Sequence, residues 1–193
     1  MRTIIISGLI LLAMTNVNAQ DKNLPYYEIP DYPETYNACT VAARMIDGLG
    51  FRYYWATEGL TEKDLVYKPS ESGRSTDETL DHLLGLSDFI LKIALKQPVG
   101  SNDQDDLTFD EKRSRTLNNL KSAADIFRNS TDLSAFKIQF NRSGNTSEFP
   151  FWNTINGPIA DAIWHCGQIV VLRRASGNPF NSKASVFLGK VRN

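Results

Sequence analysis

Histidine and cysteine are scarce in this 193-residue chain, which has two of each. One histidine, His165, follows Asp161 by four residues. On a helix this spacing places both side chains on one face, with Cβ atoms about 6 Å apart, so both can bind one metal ion. The other histidine, His82, is then the third ligand. Two imidazoles and a carboxylate leave positions open for water or a substrate, which is typical of a reactive metal centre.

The same residues also fit a simpler interpretation, in which Asp161 and His165 form an ion pair along the helix and His82 is a hydrogen-bonded core residue. Cys166 is adjacent to His165, but successive helical side chains point about 100° apart, so we expect it to miss the metal. The sequence leaves open whether Cys166 pairs with Cys39. We favour two small buried thiols over a disulfide.

Three further residues are candidates for the surroundings of this site. Glu78 lies one helical turn before His82, where it could act as a base or an orienting carboxylate. Its simpler and favoured role is to cap a helix together with Ser75. Gln168 could hydrogen-bond a ligand or a bound water, or form a helix contact. Trp164 could line a pocket or pack in the core.

Apolar residues recur with helical spacing in four segments. We expect the first helix to begin near residues 31–34, where an Asp-Tyr-Pro-Glu sequence suits a cap and a first turn. A capping box of Ser75 and Glu78 begins the second helix, which continues to about Lys96. The expected buried face of the first helix comprises Ala38, Val41, Ala42, Met45, Ile46, Leu49, Tyr53 and Ala56.

The connection between the first two helices, residues 61–74, is long and polar. A second capping box, formed by Thr108 and Glu111, begins the third helix. Residues 136–140 are expected to be a short extended segment. The C-terminal tail is expected to pack against the helices through Val186, Phe187 and Leu188.

The fourth helix contains Asp161 and His165 and ends at Gly177, which is followed by Asn-Pro. Pro158 either lies in its first turn or lies inside a longer helix that begins near Phe151. Four helices with one buried face each predict an all-α fold, an antiparallel four-helix bundle with a long connection between the first two helices. Such bundles build metal and cofactor sites in their cores.

The composition is that of a globular protein, with 41% hydrophobic and 22% charged residues. A net charge of −1 without a basic block predicts no binding to nucleic acid. Residues 1–19 have the features of a secretory signal peptide, with Arg2, a short apolar run and a small-residue cleavage site ending at Ala19. We therefore expect an exported protein, periplasmic or secreted. After cleavage it would have no stable membrane anchor and one domain, residues 20–193.

Several short motifs follow one another along the chain in an order that is typical of one protein family. A Leu-Thr-Glu-Lys-Asp-Leu segment at 60–65 precedes Lys68, and the second helix follows with His82. In and directly after the last helix, His165 is followed by Gly-Gln, Arg-Arg and Gly-x-Pro. This series is the most specific of the motifs. Over essentially the whole mature chain this order resembles the DinB-like superfamily. Its members are four-helix bundles that commonly bind zinc or nickel through a second-helix histidine and a His-x-x-x-His pair. The resemblance implies His82 and His165 as ligands, with Asp161 replacing the other histidine.

The resemblance also implies a range of functions. Characterised members of that family include thiol-dependent transferases and a maleylpyruvate isomerase, and DinB-like bundles often form homodimers. The thiols concerned are cytoplasmic, so export argues against transfer and favours hydrolysis or no catalysis. We expect a metal-dependent hydrolase or transferase of unknown substrate, in which the metal activates a bound water or thiol. The alternative is a non-catalytic bundle that binds a small-molecule ligand or is stabilised by its metal.

Overall fold

The computed structural model describes residues 24–100, 106–142 and 145–193, and the chain is mostly helical. The expected signal peptide, residues 1–19, lies outside the described residues. Within the described ranges, no helix is both long enough and apolar enough to cross a membrane.

Four long helices contain most of the helical residues of the described structure: α1 (Ala38–Thr57), α3 (Thr76–Ala94), α4 (Phe109–Arg128) and α6 (Ala160–Ser176). Helices α1 and α3 each pack against both α4 and α6. Two short helices lie between them, α2 (Glu62–Leu65) in the long connection and α5 (Trp152–Thr154) before α6. The side chains buried between the long helices are large and apolar, among them Phe51, Trp55, Leu80, Ile90, Leu117 and Phe127.

Helix α1 begins later than its sequence pattern predicts. Its N-cap is Asn37, whose side-chain oxygen accepts the Thr40 N–H at 2.9 Å, while the Thr40 hydroxyl accepts the Asn37 N–H at 3.1 Å. This reciprocal pair satisfies two backbone donors and is favoured over a start near residues 31–34. The expected buried face was also wrong in part, because Ala38 and Val41 are exposed.

Both predicted capping boxes are confirmed. At the start of α3, Ser75 N–H donates to Glu78 Oε2 at 2.6 Å and Glu78 N–H donates to Ser75 Oγ at 3.0 Å. Thr108 and Glu111 form the equivalent pair at the start of α4. Helix α3 ends two residues before its expected end.

Two antiparallel hairpins are formed by short strands: β1 (Ile138–Arg142) with β2 (Asn145–Phe149), and β3 (Ala184–Ser185) with β4 (Lys190–Val191). The extended segment expected at 136–140 overlaps β1, but its partner strand was missed. Every residue of β2 is exposed, so its sequence lacks the apolar alternation that indicates a half-buried strand.

The region of Pro158 combines both alternatives. Helical segments extend from α5 through a π-helical turn, Ile155–Ile159, into α6, but they are two helices that meet at a kink. Pro158 directly follows that kink. The backbone bends at Gly157, with φ −93° and ψ −110°, next to the proline that removes a helical N–H donor. Helix α6 ends as predicted at Gly177, whose φ of +101° is left-handed.

The C-terminal tail packs against the core, but through Phe180, Ala184 and Val191 and not through the expected residues. Val186, Phe187 and Leu188 form the tip of the β3–β4 hairpin and are exposed, Phe187 to 93%. The hairpin is attached instead at Gly189, whose carbonyl accepts the Ile29 N–H at 3.0 Å. Gly189 has a φ of +66°, and a Cβ there would lie 2.1 Å from Cδ1 of Ile29, so a side chain does not fit.

A buried carboxylate joins α2 to the end of α6. Asp64 is 1% exposed and accepts hydrogen bonds from the Thr61 N–H at 2.8 Å, the Asn178 amide at 2.8 Å and the Ser176 hydroxyl. Burial alone would raise the pKa of Asp64, but the hydrogen bonds from Asn178, Ser176 and Thr61 outweigh it and lower the pKa to about 2.

A buried cation joins α6 to α1. Arg173 is 3% exposed, and its guanidinium donates to the carbonyls of Trp55 and Ala56, both at 3.0 Å, and to two oxygens of Asn178. The last carbonyls of a helix have no N–H partner within the helix. Arg173 supplies those donors for α1, so the ends of α1 and α6 are held together.

We predict that Asp64→Asn lowers the free energy of unfolding by about 2–4 kcal/mol at pH 7, because its amide NH₂ would face donors in a buried site. Because the pKa of Asp64 is lower in the folded chain than in the unfolded chain, its carboxylate stabilises the fold at pH values above the unfolded pKa. That stabilisation is lost as the pH falls through the folded pKa of about 2. The stability difference between wild type and variant should therefore shrink from pH 4 to pH 2. Urea unfolding at several pH values measures it.

Glu62→Gln is the matched control, since Glu62 is an exposed acid of the same short helix. Its substitution should change the free energy of unfolding by less than about 0.5 kcal/mol. Equal losses in the two variants would contradict a specific role of the Asp64 carboxylate.

Candidate metal centre

The three predicted ligand residues are brought together by two packed helices. Asp161 lies in the first turn of α6, directly after the bend at Gly157, and His165 lies one turn further along. His82 is on α3, which packs against α6. One ligand atom from each residue lies within 4.8 Å of the others, and no other group of three such side chains meets this condition among the described residues.

The Asp161 carboxylate contacts both imidazoles. His82 Nε2 is 3.1 Å from Asp161 Oδ2, and His165 Nε2 is 3.4 Å from Asp161 Oδ1. The two rings meet edge to face, with centroids 4.5 Å apart and planes at 83°. Each imidazole thus faces a different oxygen of one carboxylate.

Gln168 orients the His165 ring. Its side-chain oxygen lies 2.8 Å from His165 Nδ1. An amide oxygen only accepts hydrogen bonds, so this contact places a proton on Nδ1. In a neutral ring with this proton, Nε2 has the lone pair. This is the tautomer that binds a metal through Nε2, held by the kind of outer partner that metal-ligating histidines usually have.

The donor set fits a cation. His165 Nε2 faces a carboxylate oxygen at 3.4 Å, which is longer than an ordinary N–H···O hydrogen bond. A positive charge between the two atoms would make this arrangement favourable. That charge is either a metal ion or a proton on the imidazole, and the second case is the ion pair considered above.

The centre is open to solvent on one side. The side chains of His82 and Asp161 are 34% and 42% exposed, whereas that of His165 is 13% exposed. A metal held here would keep positions for water or a ligand, because only part of its surface is covered by protein.

Two of the other candidates lie outside the ligand group. The Glu78 carboxylate is held by the Ser75 N–H and by Lys68, which lower its pKa to about 2, so it has the capping role. Cys166 is buried, and burial raises the pKa of its thiol to about 12. Cys39 and Cys166 are both buried and unpaired, as favoured from the sequence.

A cleft of about 680 Å³ adjoins the centre. His165, Gln168 and Trp164 line it, and Trp164 is 71% exposed, so it forms a wall of the cleft. Pro69 and Arg74 of the long connection also line it. Sequence reasoning missed these two residues, and the only signal was a cation next to the capping box of α3.

Comparisons of the chain with protein-family models, with curated proteins and with solved structures gave no significant match.

We predict that Gln168→Leu changes the His165 tautomer, because leucine removes the oxygen that accepts the Nδ1 proton. Long-range ¹H–¹⁵N NMR of the metal-free protein should find the Nδ1-protonated ring in wild type and a loss of that preference in the variant. Gln139→Leu, in strand β1, should leave the spectrum of His165 unchanged. An unchanged tautomer in Gln168→Leu would contradict the orienting role.

Proposed function

We propose that this protein is an exported, DinB-like four-helix bundle that binds a divalent metal through His82, Asp161 and His165. The observation that carries the proposal is the approach of three ligand atoms, from two helices, to within 4.8 Å of one another. The contact of His165 Nδ1 with Gln168 supports it, because metal-ligating histidines usually have such an outer partner.

Two kinds of support exist for the bundle. The packing of α1 and α3 against both α4 and α6 is compatible with four antiparallel helices around one core. The motif order described above adds the resemblance to DinB-like proteins, together with the expectation of a homodimer. Export rests on the signal-peptide features of residues 1–19.

The resemblance to DinB-like proteins implies zinc or nickel as the metal, and the ligands are compatible with both. Imidazole nitrogens bind both ions well, and a carboxylate completes a set of three protein ligands with open positions. When bound, a divalent ion lowers the pKa of a coordinated water or thiol towards neutrality. The chain contributes the ligand geometry, the tautomer of His165 and an adjacent cleft.

The open side of the centre favours a metal-dependent enzyme. Structural metal sites are closed, whereas His82 and Asp161 here are partly exposed and a cleft adjoins His165. Hydrolysis is favoured over thiol transfer, because an exported protein lacks cytoplasmic thiols. The alternative is a non-catalytic protein that binds a small-molecule ligand in the cleft or is stabilised by its metal.

Titration calorimetry with ZnCl₂ and NiCl₂, on protein purified without an affinity tag and freed of metal, tests the metal centre. We expect one ion per chain in wild type. His165→Ala and Asp161→Asn should each lower the affinity more than about 100-fold, since each removes a ligand from a set of three. Asp110→Asn, at an exposed acid of α4, is the matched control and should bind as wild type does. No binding by wild type, or unchanged binding by His165→Ala, would overturn the proposal.

Cobalt substitution separates the catalytic interpretation from the structural one. An open metal centre exchanges a coordinated water for an added anion, so azide should change the visible absorption of the Co²⁺-loaded protein. A closed centre has no exchangeable position. A spectrum that azide leaves unchanged would favour the structural alternative.

A further inference from the structure

The cleft beside His165 has the size and lining of a small-molecule site. Its volume of about 680 Å³ lies within the range of roughly 300–1,000 Å³ typical of ligand pockets. One wall is the outer side of α6, where Trp164 and Val171 contribute apolar surface, and Pro69 faces it from the long connection. Arg74 is the cationic residue of this lining.

The charge of Arg74 lacks a protein partner in the described part of the chain. No ion pair or hydrogen bond joins its guanidinium to another described residue. Nearby cations are different: Lys68 pairs with Glu78 at 3.1 Å, and Lys112 pairs with Asp81 at 2.7 Å. An arginine fork matches the two oxygens of a carboxylate, and such pairs are among the stronger hydrogen bonds of proteins.

The apolar walls define the rest of the ligand. Trp164 is 71% exposed and Val171 is 62% exposed, although both are large apolar side chains of the same helix face. An apolar ligand body lying on them would remove this surface from water, which is favourable in proportion to the area covered. Aromatic rings also stack well on an indole.

From these observations we infer that the cleft binds a small organic carboxylate with an apolar body. The carboxylate pairs with Arg74, and the apolar body lies against Trp164 and Val171, in the same cleft that His165 lines. This inference deepens the proposed function by naming the ligand class of its site. A substrate or ligand of the metal centre would thus be an amphipathic acid.

The test uses 3-phenylpropionate and its uncharged counterpart, 3-phenylpropanamide, in titration calorimetry with metal-free and zinc-loaded protein. The acid should bind wild type at least 10-fold more tightly than the amide in both forms. Arg74→Gln should weaken binding of the acid 10-fold or more and leave binding of the amide within twofold. Trp164→Ala should weaken both compounds alike.

Arg174→Gln is the matched control, because Arg174 is an exposed arginine near the end of α6 that does not line the cleft. It should bind the acid as wild type does. Equal binding of the acid by wild type and Arg74→Gln would overturn the inference, as would an amide that binds as tightly as the acid. Circular dichroism and thermal unfolding of each variant separate loss of the cleft from loss of the fold.

The two proposals fail in different ways. If zinc does not bind but the acid binds metal-free protein in an Arg74-dependent manner, the metal centre is wrong and the carboxylate cleft stands. If zinc binds and the acid binds neither form, the carboxylate cleft is wrong and the metal centre stands. Acid binding that needs zinc but not Arg74 would place the carboxylate on the metal and overturn the inference.

Discussion

The position of α6 depends on a charge buried at its C-terminal end. Arg173 gives its hydrogen bonds to the last carbonyls of α1 and to Asn178, which in turn donates to Asp64 of α2. Since a buried guanidinium is tolerated only with its donors satisfied, this end of α6 has one favourable register against α1. Asp161 and His165 are on the same helix, two to three turns earlier. This interaction therefore holds the C-terminal end of the helix that carries two of the three candidate ligands.

Local sequence patterns correctly predicted the features that depend on interactions between residues close in the sequence. The capping boxes of α3 and α4, the left-handed glycine after α6 and the shared helix face of Asp161 and His165 all depend on residues a few positions apart. The start of α1 was mispredicted because two adequate capping sequences occur within seven residues. Strand β2 was missed because all of its residues face solvent.

Contacts between residues far apart in the sequence could not be predicted from local patterns. Apolar residues in the tail suggested burial, yet the hairpin is attached by the backbone of Gly189, and Phe187 remains in solvent. The convergence of His82 with Asp161 and His165 was expected from the scarcity of histidine. The cleft was not, because Arg74 reaches it from a polar connection whose path is decided by tertiary packing. Sequence thus indicated the candidate ligands, and the fold was needed to find what lies beside them.

The two cysteines have a consequence for how the chain reaches its folded state. Cys39 lies on α1 and Cys166 on α6, and each is a buried free thiol. Most small extracellular domains rely on disulfides to limit the entropy of the unfolded chain. This chain has no such crosslink, so its folding requires neither an oxidant nor a disulfide isomerase. Its stability comes from side-chain packing and buried hydrogen bonds, and a change of redox environment leaves both unaltered.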